Sequence, residues 1–199
     1  MSLQHRPLVF LDIETTGGSP LQSRITEVGA LRVENGEVVG TLSQLVNPEQ
    51  HVPSFITRLT GIDDSMLWDA PTFVGIADDL EVFLQDAVFV AHNVNFDYSF
   101  IKAEYQRLNR SFNMDRFCTA RLSRRLYPEQ GRHNLDTIIA AHNIPVVNRH
   151  RALDDAQALH VFFARTLEKF GLDTYAAVNR ILTKTTQGTP KPSGQQTGL

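Results

Sequence analysis

Two carboxylates lie two positions apart near the amino end of the chain, in the run Asp12-Ile13-Glu14. If this run is a strand, both side chains point to the same face of the sheet, because side chains alternate along a strand. Two like charges this close repel each other unless a cation lies between them, so the pair could hold a divalent metal ion. For an isolated Asp-x-Glu, ordinary solvated carboxylates at an exposed strand end are the simpler interpretation.

A polar turn and a third carboxylate extend this pattern. The turn Thr15-Thr16-Gly17-Gly18 follows directly and could bring backbone N–H groups close to a phosphate or a sugar. The run His92-Asn93-Val94-Asn95-Phe96-Asp97 then places Asp97 near the start of a predicted helix, after a predicted strand. A cap at Asn95 or Asp97 explains this run without any function.

A fourth carboxylate and a histidine lie late in the chain, in the run His150-Arg151-Ala152-Leu153-Asp154-Asp155. His150 precedes the longest predicted helix, and Asp155 lies in its first turns. A histidine at a helix start is usually structural, and Asp154 and Asp155 could simply complement the helix dipole. Each of the runs is therefore explicable by itself without chemistry.

In this order, the three runs are much more specific. Asp12-Ile-Glu14-Thr-Thr-Gly17, His92-Asn93-x-x-Phe96-Asp97 and His150-Arg-Ala-x-x-Asp155 resemble the three motifs of the DEDDh exonuclease family. Members of that family include the proofreading subunit of bacterial replicative DNA polymerase. The resemblance covers roughly residues 7–170 and implies an RNase H-like fold, in which helices flank a mixed β-sheet.

The resemblance also implies roles for the five catalytic residues. It implies two divalent cations, Mg²⁺ or Mn²⁺, which suit oxygen ligands. Asp12 would bridge the two cations, Glu14 and Asp155 would complete the first site, and Asp97 would support the second. His150 would be the general base for the attacking water, since imidazole accepts protons near neutral pH.

Further residues are implied to bind the substrate. The turn Thr15-Thr16-Gly17 would hold the terminal nucleotide. Ile62, in the segment Leu59-Thr60-Gly61-Ile62, would pack against its base, and Asn93 and Phe96 would line the same pocket. These predicted substrate-binding residues are Thr15, Thr16, Gly17, Ile62, Asn93 and Phe96. Five arginines could bind incoming phosphates, but the sequence does not say which of them face the groove: Arg116, Arg121, Arg124, Arg125 and Arg132.

Apolar patterns predict the elements that must position these side chains. Pro7–Ile13 is typical of a buried strand, and the dipeptide Asn35-Gly36 predicts a hairpin between two further strands. The predicted strands cover 7–13, 24–34, 37–46 and 87–91, and the predicted helices cover 54–59, 72–86, 95–108, 118–127, 134–142 and 151–170. Three strands followed by mixed strands and helices indicate an α/β fold with a mixed sheet covered by helices.

Length and composition fit one globular domain of 199 residues, 42% hydrophobic and 21% charged. No segment approaches the roughly 18–20 apolar residues that span a bilayer, and the single Cys118 gives no sign of export, so we expect a cytoplasmic protein. We place an exonuclease domain at 1–184. Because 13 of the 15 residues over 185–199 are Thr, Gln, Gly, Pro or Ser, we expect a disordered tail or a linker there.

Charge is unevenly distributed along the chain. Residues 1–101 contain 4 Lys/Arg and 14 Asp/Glu, a balance of −10, whereas residues 102–133 contain 8 and 3, a balance of +5. The acidic part could supply metal ligands and the basic part could face a polyanion. A solvated, charged helix surface explains the same distribution.

We therefore expect a 3′–5′ exonuclease that takes the 3′ end of single-stranded DNA. DNA is favoured because the Asp-Ile-Glu-Thr-Thr-Gly form resembles the proofreading branch more than the oligoribonuclease branch. The alternatives are the same chemistry on short RNA, or a catalytically silent module that binds nucleic acid or a polymerase. The complete set of five catalytic residues argues against the silent module. A polymerase subunit or a fused second domain is an expected partner, and a membrane is not.

Overall fold

A five-stranded mixed sheet forms the centre of the fold, in a computed structural model that describes residues 3–185. The strand order is β3-β2-β1-β4-β5, with β1, β2 and β3 antiparallel and with β4 parallel to both β1 and β5. The strands are β1 (Leu8–Thr15), β2 (Ile25–Glu34), β3 (Glu37–Leu45), β4 (Val88–Ala91) and β5 (Arg116–Cys118). This arrangement confirms the predicted α/β class with a mixed sheet.

Helices cover both faces of this sheet. They are α1 (Ser54–Thr60), α2 (Asp64–Leu67), α3 (Phe73–Leu84), α4 (Asn95–Arg107), α5 (Thr119–Leu126), α6 (Leu135–Ala141), α7 (Ala152–Phe170) and α8 (Leu172–Ile181), after a 3₁₀ turn at Leu3–His5. The predicted strands and helices are confirmed to within a few residues, but β5, α2 and α8 were not predicted. β5 has only three residues, too few to show alternation, and Gly171 separates α8 from the strong apolar stripe of α7.

Alternation along β1 divides the core into two layers. Val9, Leu11 and Ile13 contribute to the layer that contains α3 and α4. Leu8 and Phe10 point to the other face, where buried residues of α5, α7 and α8 pack. Asp12 and Glu14 continue the row of Leu8 and Phe10, so the sheet presents both carboxylates on the α7 face.

The amino end of α7 lies unusually close to the sheet, at Gly29 of β2. A Cβ atom on Gly29 would lie 2.1 Å from the Leu153 nitrogen and 2.2 Å from the Ala152 carbonyl carbon. Only glycine permits this approach. Because Asp12 pairs with Gly29 across β1 and β2, the contact brings the start of α7 beside the carboxylates of β1.

The carboxyl end of the described chain packs against β5. Thr183 forms a bridge to Arg116, and the Thr185 N–H donates to Asp115 Oδ1 over 2.7 Å. The rest of the segment that we predicted to be a tail or linker, 186–199, lies outside the described residues. Over residues 3–185, no helix combines the length and the apolar character needed to cross a membrane.

Candidate active site

The end of β1 provides two of the predicted metal ligands. Asp12 and Glu14 are half-buried, and their strand pairing with β2 becomes irregular directly after Glu14. Opposite Glu14, at the same register, lies Glu27 of β2. The strand end therefore concentrates negative charge under the first turns of α7.

Two helices bring the other predicted ligands to the same place. Asp97 lies in the first turn of α4 and is 2% exposed, and Asp155 lies in the first turn of α7 and is 4% exposed. One potential ligand atom from each of Glu14, His150 and Asp155 lies within 4.8 Å of the others. Residues that are 136 positions apart in the chain thus form one cluster.

The carboxylates perturb one another strongly. Burial, followed by the charges of Asp97, Asp155 and Glu14, raises the pKa of Asp12 well above its usual value. Burial raises the pKa of Asp97 to about 8, and burial together with the charges of Asp155 and Glu27 raises the pKa of Glu14 to about 8. Burial also raises the pKa of Asp155. Such perturbation is typical of functional sites and here arises from burial and from repulsion between the carboxylates.

The donor set fits a hard divalent cation. Oδ1 of Asp155 is buried and has no hydrogen-bond partner among residues 3–185. Since buried polar atoms are normally paired, this oxygen is free for a ligand that the protein itself does not supply. Four carboxylates with one imidazole are ligands that Mg²⁺ or Mn²⁺ accepts.

The backbone of His150 is strained. Its φ of +63° lies in the left-handed region, which side chains other than that of glycine rarely adopt. Strained residues of this kind cluster at active sites, where the surrounding structure holds them in place. Here the strain directs the imidazole toward Glu14 and Asp155.

Arg149 is a member of the site that the sequence analysis did not single out. It donates a hydrogen bond to Asp155 Oδ2, and its Nε donates to Asp136 Oδ1 over 2.8 Å. Its charge opposes the rise in the pKa of Asp12 and of Glu14. Its position directly before His150 was the only available signal.

A buried ion pair that was also not predicted holds the amino end of α7. Glu27 is 2% exposed and accepts three hydrogen bonds from Arg151, two from Nε over 3.1 Å and one from Nη2 over 2.7 Å. It also accepts one over 2.9 Å from the Ala152 N–H, and so caps α7. A glutamate within the apolar strand pattern Ile25–Leu31 was a visible signal that this carboxylate has a partner.

The predicted substrate-binding residues are not all equally accessible. Thr15 and Thr16 are buried, and their hydroxyls make internal hydrogen bonds, from Thr15 to the Gly17 carbonyl oxygen and between Thr16 and both the Arg24 N–H and Gln50. Gly17 is half-buried at the mouth of the turn.

Ile62 has no exposed surface that a nucleotide could contact. It is 0% exposed and packs in a small cluster with Val52, Ile56 and Leu67. The exposed apolar side chains of the preceding helix α1 are Phe55 and Leu59, which are 57% and 52% exposed. They are the available apolar contacts in this segment.

Asn93 and Phe96 lie on the segment that leads from β4 to Asp97. Asn93 is exposed with a φ of +59°, and Phe96 is half-buried against Phe100, with their ring centroids 4.9 Å apart. His92, which directly follows β4, donates to or accepts from the Thr119 hydroxyl over 3.0 Å. Of the predicted pair, Asn93 is therefore the more accessible to a ligand.

The family model RNase T, described as an exonuclease, matches residues 9–162 of this chain. The chain belongs to this exonuclease family. The match covers β1, α4 and the first half of α7, which are the elements that carry the cluster. The chain is thus an exonuclease domain, a hydrolase of nucleic acid.

Two known proteins resemble this exonuclease domain over most of its length. It is 39% identical over 184 residues to a DNA polymerase III PolC-type of Caldanaerobacter subterraneus subsp. tengcongensis. The aligned region covers 91% of this chain and 13% of that protein. It is 36% identical over 167 residues to a 3′-5′ exonuclease DinG of Staphylococcus haemolyticus. That alignment covers 83% of this chain and 19% of DinG. The chain therefore spans less than a fifth of either relative.

A solved structure of exonuclease X in complex with 5′-overhanging duplex DNA has the same fold. It superposes with a TM-score of 0.67 at 25% identity, covering 82% of this chain and 93% of that chain. This similarity confirms the RNase H-like exonuclease fold that the sequence resemblance implied.

Proposed function

We propose that this exonuclease domain is a metal-dependent 3′–5′ exonuclease that releases nucleoside monophosphates from single-stranded DNA. The observation that carries the proposal is the cluster of Glu14, His150 and Asp155, whose ligand atoms lie within 4.8 Å of one another and which includes an unpaired buried oxygen of Asp155. Asp12 and Asp97 are close enough to it that the charges of Asp97, Asp155 and Glu14 raise the pKa of Asp12. Such a cluster is costly for the fold unless it binds cations, because like charges that are buried together repel.

The carboxylates of Asp12, Glu14, Asp97 and Asp155 would together hold two divalent ions, Mg²⁺ or Mn²⁺. When bound, the ions stabilise the attacking and leaving oxygens of the phosphodiester. His150 accepts the proton of the attacking water, and its left-handed backbone keeps the imidazole beside Glu14 and Asp155.

DNA is the proposed substrate over RNA. One relative is named as a DNA polymerase, and exonuclease X was solved in complex with DNA. A single strand is proposed because the 3′-terminal nucleotide must separate from any complement to reach the buried carboxylates. A polymerase subunit or a second domain of a longer protein is the proposed partner, since PolC-type relatives are about eight times longer than the matched region. A cytoplasmic location stays a prediction from the sequence.

The test is digestion of 5′-labelled single-stranded DNA and RNA of one sequence with Mg²⁺ or Mn²⁺, with EDTA as the control for metal dependence. We expect a ladder that shortens from the 3′ end, faster on DNA. Asp12→Asn should abolish the ladder, a loss of at least about 1,000-fold, because it removes the shared ligand; loss of one catalytic-unit member is typically this large.

The matched control is Asp79→Asn, which changes an exposed carboxylate on α3 in the same way. It should cleave like the unchanged protein. Faster cleavage of RNA would assign the exoribonuclease alternative. A folded protein that binds Mn²⁺ but cleaves neither strand would instead assign the catalytically silent module.

A further inference from the structure

A basic cavity lies beside the carboxylate cluster, at the carboxyl ends of β4 and β5. It has a volume of about 390 Å³, within the range of about 300–1,000 Å³ typical of ligand sites. Its walls include His92, Asn95, Arg121, Arg124 and His133. We refer to the space between these five residues as the basic cavity.

The positive charge of the basic cavity is uncompensated. No Asp or Glu of the described chain lines it. Arg121 and Arg124 are exposed, and neither takes part in an ion pair within residues 3–185. Their two guanidinium groups are therefore available to a ligand that carries negative charge.

The other arginines that the sequence analysis considered are placed differently. The guanidinium of Arg116 lies 3.9 Å from the centroid of the Tyr98 ring. Arg125 lies one turn after Arg121 on α5 and lines a different depression, with Asp173 and Arg180. Arg132 lies in the exposed loop between α5 and α6, where its carbonyl oxygen accepts a hydrogen bond from Gln130. Of these five arginines, Arg121 and Arg124 are thus the ones that line the cavity.

Two helix amino ends add to the positive potential. α4 begins at Asn95 and α5 at Thr119, and neither has a side-chain cap on its first N–H groups. Their N-cap residues, Val94 and Cys118, both line the basic cavity. Uncapped N–H groups and the positive ends of two helix dipoles favour an anion, in addition to the arginines.

The basic cavity adjoins the segment that leads to the site. The segment His92–Asn95 lines it, and Asp97 follows two residues later on the same helix turn. His92 is near enough to both arginines that the charges of Arg124 and Arg149, after burial, contribute to lowering its pKa to about 4. A phosphate backbone that leaves the cluster along this segment would therefore reach the cavity.

We propose that the basic cavity binds the phosphodiester backbone on the 5′ side of the nucleotide that is removed, with Arg121 and Arg124 each contacting a phosphate. This proposal rests on the proposed function. Binding of a polyanion requires a local basic site of this kind, because the carboxylate cluster repels phosphates and the protein as a whole carries a net charge of −3. Contacts to phosphates are independent of base sequence and strongly dependent on salt.

The first test compares a long substrate with a short one. The long substrate is a single-stranded oligonucleotide, and the short one is the nitrophenyl ester of thymidine 5′-monophosphate, which has no phosphate on the 5′ side of the cleaved group. Arg121→Ala and Arg124→Ala should each raise KM for the oligonucleotide about tenfold. The double variant should reduce the slope of log(kcat/KM) against log[salt] by about 1.4. Cleavage of the ester should not change.

Arg125→Ala is the matched control, since it removes an arginine from the same helix outside the cavity. Arg124→Lys keeps the charge and should restore most of the lost affinity. If the oligonucleotide KM and salt slope of the double variant equal those of Arg125→Ala, the cavity does not bind the backbone, although the exonuclease assignment stands.

A binding measurement separates this proposal from the proposed function. In the Asp12→Asn background, which should not cleave, the anisotropy of a fluorescein-labelled oligonucleotide reports binding alone. Adding Arg121→Ala and Arg124→Ala should weaken binding at least tenfold at low salt, and adding Arg125→Ala should not. Equal affinities would overturn the proposal even if the protein proves to be inactive.

Discussion

The surroundings of the individual carboxylates favour binding of a cation over exposure to water. Burial raises the pKa of Asp97 to about 8, and burial together with neighbouring charges raises the pKa of Glu14 to about 8, so in metal-free protein these groups tend to hold protons at neutral pH. A divalent cation reverses this preference, because it favours the ionised form. Metal binding should therefore release protons, and the metal-free fold should depend on pH.

This dependence can be tested at Glu14. In the folded protein its pKa is raised from 4.5 to about 8, so the folded state keeps a proton that the unfolded state loses. The stabilising contribution is complete below pH 4.5 and is lost as the pH rises to about 8, at a rate of at most about 1.4 kcal/mol per pH unit. Urea unfolding in EDTA between pH 5 and 8 should show a shallower decline for Glu14→Gln than for the unchanged protein. Parallel curves would contradict the shift.

The control for this experiment is Glu37→Gln, because Glu37 is exposed on β3. Its unfolding free energy should follow the curve of the unchanged protein at every pH. A change of slope there would show that the effect is one of net charge and not of burial at Glu14.

The residues that we propose to be catalytic could be named from sequence, but their partners could not. Asp12, Glu14, Asp97, Asp155 and His150 stand in three local motifs, whereas their surroundings are built from contacts between distant parts of the chain. Arg149 hydrogen-bonds Asp155 across His150, whose φ is positive, and no sequence motif indicates this contact. Ile62 shows a second limit of prediction from sequence. An apolar residue in a motif can belong to the core instead of contacting a ligand, and Ile62 is buried.

At the scale of elements, the position of α7 decides whether the site exists. The helix carries Asp155, follows His150, and is held to β2 by the close approach at Gly29 and by the Glu27 carboxylate. Long periodic elements such as α7 were predicted from sequence, because one apolar stripe repeats over 19 residues. The contacts that fix its amino end come from β2, more than 120 positions away, and no local pattern encodes them.

Replacing Glu27 by Gln should release this end of α7. The variant leaves Arg151 without its charge partner and should lower the unfolding free energy by about 1.5–3 kcal/mol. Because α7 positions Asp155 and His150, kcat should fall more than KM rises. Urea unfolding and steady-state kinetics check the two effects.

Glu34→Gln is the matched change, since Glu34 pairs with Arg32 on the same strand but is 40% exposed. An exposed pair should contribute less than about 1 kcal/mol. If Glu27→Gln and Glu34→Gln have the same effect on stability and kcat, the buried pair does not position α7.

At the scale of the whole molecule, the site joins parts of the chain that are far apart in sequence. β1 contributes Asp12 and Glu14, α4 contributes Asp97, and α7 contributes Asp155, so bound cations would link the two core layers through the edge of the sheet. A ligand that binds only the folded state stabilises it by mass action. The stability of the whole domain should therefore depend on metal.

We expect Mn²⁺ to raise the melting temperature by about 5–10 °C over EDTA at a free concentration about 100 times its Kd, from about 2.7 kcal/mol of linkage and about 2–4 °C per kcal/mol. Asp155→Asn should lose most of this rise, because it removes the buried unpaired oxygen's charge. Asp154→Asn, one position earlier on α7 and half-buried outside the cluster, should keep it. Differential scanning fluorimetry needs no substrate, so it tests the metal site independently of cleavage. If Mn²⁺ raises the melting temperature of both variants equally, the metal binds elsewhere, because Asp155, and not Asp154, lies within reach of Glu14 and His150.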